Sequence, residues 1–208
     1  MRSSLRVIGL ASIVAASVSC GDVVRQGRSP VYIVINTLQA APGNSPGTFG
    51  GFLLSDVIRN VTSPAPCSPA TPCPTVFNDV GQAVLRLSLK DIGSPATPNT
   101  PTTNNEVTIN RVRIVYRRAD GRNTPGVDVP YPVDAVATGT IPASGTLTLS
   151  FEIVRHSAKE EAPLIQLIAS PSIISTIAEV TFFGRDQAGN QVSATGNIQI
   201  DFGNFGDT

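Results

Sequence analysis

His156 is the only histidine in the chain. A Ser-His-Asp relay needs an imidazole to carry the proton, so any such relay must run through it. Serines are abundant, yet no Gly-x-Ser-x-Gly elbow occurs and nothing indicates an α/β framework. His156 is expected as a solvated residue just past a strand end. Glu160-Glu161 is an adjacent acidic pair. Neighbouring residues on a helix or strand point apart, so the two carboxylates do not make a ready acid/base site. Asp186, Asn190 and Asp201 carry oxygen ligands for Ca²⁺, but their spacing matches no Ca²⁺ loop. Asx residues in turns usually bond their own backbone. Arg111, Arg113 and Arg117 share parity on one strand, with Arg118 and Arg122 close behind. Such a row can hold phosphate or carboxylate groups bidentately, or it can be a soluble face that protects a strand edge by charge. No Walker loop, dinucleotide fingerprint or His-Glu-x-x-His motif is present. No enzyme, cofactor or metal is expected.

The elements that must position these groups belong to a chain of 208 residues with 41% hydrophobic and only 14% charged side chains. One domain of that length buries an adequate core. Glycine (18) and proline (17) are plentiful, which favours strands and turns over helices. Lysine occurs only at Lys90 and Lys159; the other basic residues are arginine. The formal net charge is zero, which gives no reason to expect nucleic-acid binding.

Residues 1–19 read as an export signal: Arg2 and Arg6, then an uncharged, mostly apolar run over 7–18, then small Ser17 and Ser19. Twelve residues at a helical rise reach only about 18 Å, short of a hydrocarbon core of about 30 Å, so this is no spanning helix. Ser17-Val18-Ser19-Cys20 resembles the lipobox of bacterial lipoproteins. Val18, Ser19 and Cys20 fit it, while Ser17 stands where leucine is usual. The resemblance implies that Cys20 becomes the first mature residue and carries the lipid, with a membrane as partner and the cell envelope as location. The other possibility is an ordinary secretory signal cut near 15–17, giving a secreted or periplasmic protein. Loss of residues 1–19 removes two of the 15 basic residues and leaves a net charge of −2. The chain has three cysteines. With Cys20 acylated, Cys67 and Cys73 remain as a pair across a proline-rich loop and are expected to form a disulfide in an oxidising compartment. A metal site is the weaker alternative, since the spacing exceeds that of zinc knuckles and no histidine lies near.

Residues 20–29 read as a polar tether and 30–208 as a single domain. The run Val31-Tyr32-Ile33-Val34-Ile35 reads as a strand buried on both sides. Residues 52–61 fit a short helix or an irregular strand. Residues 83–90 and 146–154 alternate with period two, as half-buried strands do. Residues 106–118 alternate with a slip of one near Asn110-Arg111, which a β-bulge would accommodate. Residues 93–105 read as a polar loop, and 134–140 as a short strand. Ser157-Ala158-Lys159-Glu160 matches a capping box, and Pro163 limits that helix to one turn before an extended run over 164–168. Residues 174–185 and 191–202 form a hairpin around Asp186-Gln187-Ala188-Gly189-Asn190.

Short strands, frequent turn signals and no run of helical period predict an all-β antiparallel sandwich with at most one or two short helices. The Asp-x-x-Gly-Asn turn resembles the closing hairpin of bacterial immunoglobulin-like domains, which implies an immunoglobulin-like sandwich. The Cys-Trp-Cys core signature of antibody-type domains is absent, because the chain has no tryptophan. The expected function is a non-enzymatic structural or protein-interaction module of the cell envelope, with an envelope protein as partner. The long loops at 39–51, 62–75, 93–105 and 119–133 are its natural contact surface. The alternatives are a module binding an anionic envelope lipid or glycan through the Arg row, and a hydrolase that hinges on His156.

Overall fold

A computed structural model describes residues 27–206. The export segment, the lipobox-like Cys20 and most of the tether lie outside the described residues. Thirteen strands are present among the described residues: β1 (Val31–Ala41), β2 (Phe52–Asp56), β3 (Arg59–Val61), β4 (Cys73–Thr75), β5 (Asp79–Leu89), β6 (Gly93–Ser94), β7 (Thr97–Pro98), β8 (Val107–Arg117), β9 (Val133–Ala135), β10 (Gly139–Ile141), β11 (Leu147–Val154), β12 (Ile174–Asp186) and β13 (Gln191–Gly203). One helical turn, α1 (His156–Lys159), and a 3-10 segment, Leu164–Ala169, connect β11 to β12.

The fold is an all-β sandwich. A smaller sheet runs β1-β5-β11, all antiparallel, and a larger one runs β10-β8-β12-β13-β2. β9 pairs with β8 beside β10, on the same edge. The one parallel pairing in these sheets joins β2 to β13, with Leu53 beside Ile200. Alternation decides which side chains meet between the layers. From β5 come Ala83, Leu85 and Leu87; from β8, Val107, Ile109, Val112, Ile114 and Tyr116; from β12, Ala178, Val180 and Phe182. Phe151 meets Phe182 edge-on at 5.6 Å between ring centroids, and Tyr116 meets Phe202 at 5.8 Å. Gly81 makes room for the first pair, because a Cβ there would lie 2.5 Å from Cε2 of Phe151. The Tyr116 hydroxyl donates to the Ile153 carbonyl at 2.6 Å, which ties the larger sheet to the smaller. Burial first, and then the nearby Asp79 carboxylate, push the Tyr116 phenol up, so it stays a donor across the working pH range.

Three register shifts set the faces. β8 slips against β12 so that Arg111 lies opposite Phe183 and Ile109 opposite Gly184, leaving Asn110 as the extra residue. This is the bulge expected at Asn110-Arg111. It keeps Ile109 and Val112 both inward, as period two alone could not. β11 slips at Ile153, and Ile153 and Val154 are consequently both buried. β1 slips at Asn36.

The hairpin of β12 and β13 pairs without a shift from Ile174–Phe202 to Arg185–Gln191. At its tip the Asn190 amide donates to Asp186 Oδ1 at 2.8 Å and Gly189 adopts φ +82°, a conformation glycine enters without a Cβ penalty.

Four expectations need correction. β1 is buried on one face only, with Val31 and Ile33 inward and Tyr32 45% exposed, because no described element covers the outer side of its sheet. Of the two readings open for residues 52–61, the strand is the one that forms, as β2 and β3, with the alternation Leu53-in, Leu54-out, Ser55-in. Residues 164–168 are 3-10 rather than extended, burying Leu164 and Leu167, which lie three apart on one side of such a helix. The capping box does not form: α1 begins at His156, and its N-cap, Arg155, makes no side-chain capping bond. The polar loop over 93–105 holds the two-residue strands β6 and β7.

Cys67 and Cys73 are bonded as a disulfide that closes the loop between β3 and β4. That hairpin lies outside both main sheets, so its loss leaves the core intact. Closing so short a loop is worth about 2 kcal/mol on chain-entropy grounds. The paired Cys67→Ser/Cys73→Ser variant should therefore lose about 2 kcal/mol of unfolding free energy in a denaturant titration, with its cooperativity unchanged.

Candidate functional site

Two polar constellations stand out, one inside the sandwich and one on its surface. The inner one was not foreseen in the sequence. Lys159 and Asp79 are each about 1% exposed and lie 2.8 Å apart, Nζ to Oδ2. Asp79 opens β5 and Lys159 ends α1. Ser55 of β2 donates its hydroxyl to Asp79 Oδ2 at 2.6 Å, and the Gly43 amide, in the loop after β1, donates to Oδ1 at 2.9 Å. The Lys159 ammonium also donates to the Asp56 carbonyl at 2.9 Å. Three chain segments, α1, β2 and the loop after β1, thus converge on the one carboxylate that opens β5. The space beside it, between Asp56 and Phe77, is only about 10 Å³, too small to admit a substrate. Every oxygen and nitrogen of the cluster has a partner, and among the described residues no buried side-chain polar atom lacks one. The arrangement holds the fold together and presents no reacting group to solvent.

The surface constellation lies on the outer face of the larger sheet. Arg111, Arg113 and Arg117 all point outward from β8, as their shared parity predicts. The sheet divides the row. Arg117 pairs with Glu179 at 2.7 Å, while Arg111 and Arg113 share Asp134 of β9, each at 3.5 Å. Arg118 and Arg122 leave the row and clamp Asp120 at 2.7 and 3.0 Å. The hydrogen bond from Arg118 holds the Asp120 carboxyl well below the usual carboxylate range. The Arg111 guanidinium stacks on the Phe183 ring, with Cζ 3.9 Å from the centroid. Beside this contact is a depression of about 310 Å³ lined by Asn110, Arg111, Phe183, Gly184, Arg185, Gln191 and Val192. The bulge creates it, since the extra residue turns Asn110 and Arg111 outward together. Gly184 permits the close approach: a Cβ there would lie 2.7 Å from the Thr108 carbonyl oxygen. Arg185 was not anticipated. The signal was present in its spacing, two residues from Phe183 on a period-two strand.

The remaining candidates are dispersed. His156 is exposed at the start of α1, with no described hydrogen-bond partner. Glu160 and Glu161 are exposed beyond it. Asp186 spends both carboxylate oxygens on Asn190, while Asp201 receives the Gln199 side chain some distance along β13. Among the described residues no group of three His, Cys, Asp or Glu side chains is placed to hold a metal, and no helix is long and apolar enough to cross a membrane.

Removing one member of a buried ion pair leaves the other uncompensated, at a cost of about 3–5 kcal/mol. Lys159→Met and Asp79→Leu should each lose about that much in urea titration, whereas the double variant should recover a large part of the loss. At Asp186 burial raises the carboxyl, but hydrogen bonds from Asn190, Ser29 and the Ala188 amide outweigh it and leave a net lowering. A carboxyl lowered by folding stabilises the native state above its unfolded value. That contribution is lost as pH falls through the folded value. The Asn190 amide resonance should accordingly hold its position through mildly acidic pH and shift only below the ordinary aspartate range. No family model, no curated protein and no solved structure matches this chain.

Proposed function

We propose that the protein is a non-enzymatic cell-envelope lipoprotein, tethered at Cys20, whose sandwich presents a preformed loop to an envelope protein partner. The observation that carries this reading is the segment between β8 and β10. It exposes Val127 (67%), Tyr131 (57%) and Val136 (86%) together on one connection. The segment is held by its own bonds. Asn123 accepts from the Arg118 amide at 2.7 Å, Asp128 accepts from the Thr124 amide at 3.1 Å, and the Gly126 amide donates to the Val129 carbonyl at 2.8 Å. Gly126 has φ +75°, and a Cβ at that position would run into the Tyr131 hydroxyl, so glycine lets the ring pack on the turn. Buried Val129 and Val133 anchor the same stretch from beneath. Exposed apolar side chains on an ordered loop have little ordering entropy left to lose on contact, which favours association. An aromatic anchor among them is the usual centre of an interface.

The test replaces Val127, Tyr131 and Val136 with serine in the full-length protein and compares partner recovery from cross-linked native envelopes. The expected outcome is a specific partner with the wild type, reduced about tenfold or more in the variant, with an unchanged unfolding midpoint. Equal recovery would overturn the reading. The anchor is checked by intact mass from the membrane fraction: residues 1–19 absent and acyl groups added at Cys20. An unlipidated mass removes the tether.

A further inference from the structure

We infer that the depression at the β8 bulge is a binding site for an acidic sugar residue of a uronate-bearing glycan. The inference is independent of the loop surface above. Two arginines, Arg111 and Arg185, line one hollow, with Asn110 and Gln191 beside them. The Asp134 contacts to Arg111 and Arg113, at 3.5 Å, are long for charge-assisted bonds, which run near 2.7–2.9 Å. Arg111 therefore keeps N–H donors for an incoming carboxylate. Among the described residues Arg185 has no ion-pair partner, unlike Arg117, whose guanidinium is engaged at 2.7 Å. The Phe183 ring beneath Arg111 fixes the guanidinium plane without competing for its donors, the arrangement that favours bidentate recognition.

Shape and polarity narrow the ligand further. A volume of about 310 Å³ stands at the lower end of small-molecule sites, enough for a single ring. The Phe183 ring lies under Arg111, and the other apolar lining residue, Val192, is buried, so an apolar ligand finds little platform there. A hydroxyl-rich ring carrying one carboxylate matches the inventory: guanidinium groups for the acid, and Asn110 and Gln191 side chains for hydroxyls. A glycan of repeating uronates also suits an open hollow on a flat sheet, since the chain can continue past it on either side.

The experiment titrates tri-galacturonate into the isotopically labelled protein and follows the Asn110, Arg111, Arg185 and Gln191 signals. It is run at low and at physiological ionic strength, with the neutral trisaccharide maltotriose and inorganic phosphate as comparisons. Saturable shifts with tri-galacturonate alone are expected. Arg185→Gln should weaken binding about tenfold or more, because a charge-assisted bond is lost. Phe183→Ala should weaken it by freeing Arg111, and Arg117→Gln should leave it unchanged. These variants change outward-facing side chains, and the amide fingerprint reports whether the sheet is intact. Absence of saturable shifts would overturn the inference. So would an Arg117→Gln loss equal to that of Arg185→Gln, which would assign binding to the whole row. Phosphate binding as tight as tri-galacturonate would reduce the hollow to a simple oxyanion site and overturn the glycan assignment.

Discussion

A single buried carboxylate holds the sandwich in register. Asp79 takes the Lys159 ammonium, the Ser55 hydroxyl and the Gly43 amide, so α1, β2 and the loop after β1 all meet at the start of β5. Desolvating two charges is costly, and their attraction offsets that cost only where geometry and extra hydrogen bonds are good. Here they are, and the outcome is more specification than surplus stability. An apolar cluster tolerates sliding, whereas a carboxylate with defined donors tolerates one arrangement. The cluster thus fixes how the smaller sheet sits over the larger, and the Tyr116–Ile153 bond does the same further along the layer interface.

The outer surface follows from the same interior. The β8 bulge exists because Ile109 and Val112 must both face the core, and its by-product is an outward pair at Asn110 and Arg111. A glycine on the neighbouring strand is the geometric counterpart, since only Gly184 lets the bulged backbone approach. The hollow, the stacked guanidinium and the exposed Arg185 are therefore products of core packing carried through to the surface. The β8–β10 connection has a comparable origin, in valines buried below and side-chain caps above.

How much of this the sequence disclosed depends on the range of the interactions. Alternation over 83–90, 146–154 and 174–202 gave correct strands, because period two is local and each strand has one wet face. The phase slip at Asn110 was legible for the same reason. The apolar run at the start of β1 was misleading: a continuous apolar stretch matches a doubly buried strand, and only the sheet order places it on an edge. The turn over 157–169 failed because a tertiary demand overrode local capping; Lys159 is drawn inward to Asp79, and the helix start moves back to His156. That the two lysines would have such different fates, one at the surface and one sealed in the core, is written in no local pattern. The partners of Lys159 lie 80 and 103 residues away. Arg185 lies outside that pattern, because parity along β8 carries no information about β12 beside it.

The parallel pairing of β2 with β13 has a consequence in time. β2 lies near the beginning of the described chain and β13 at its end, with no strand of the larger sheet other than β13 available to receive it. β1 and β5 can pair early, but β2 must wait for β13, whose paired residues lie 147 positions further along the chain. Loop closure over that separation must precede any reward from the contact, which makes such topologies slow to complete. The pairing of β2 is consequently a late event that waits on a long-range contact rather than on a local hairpin.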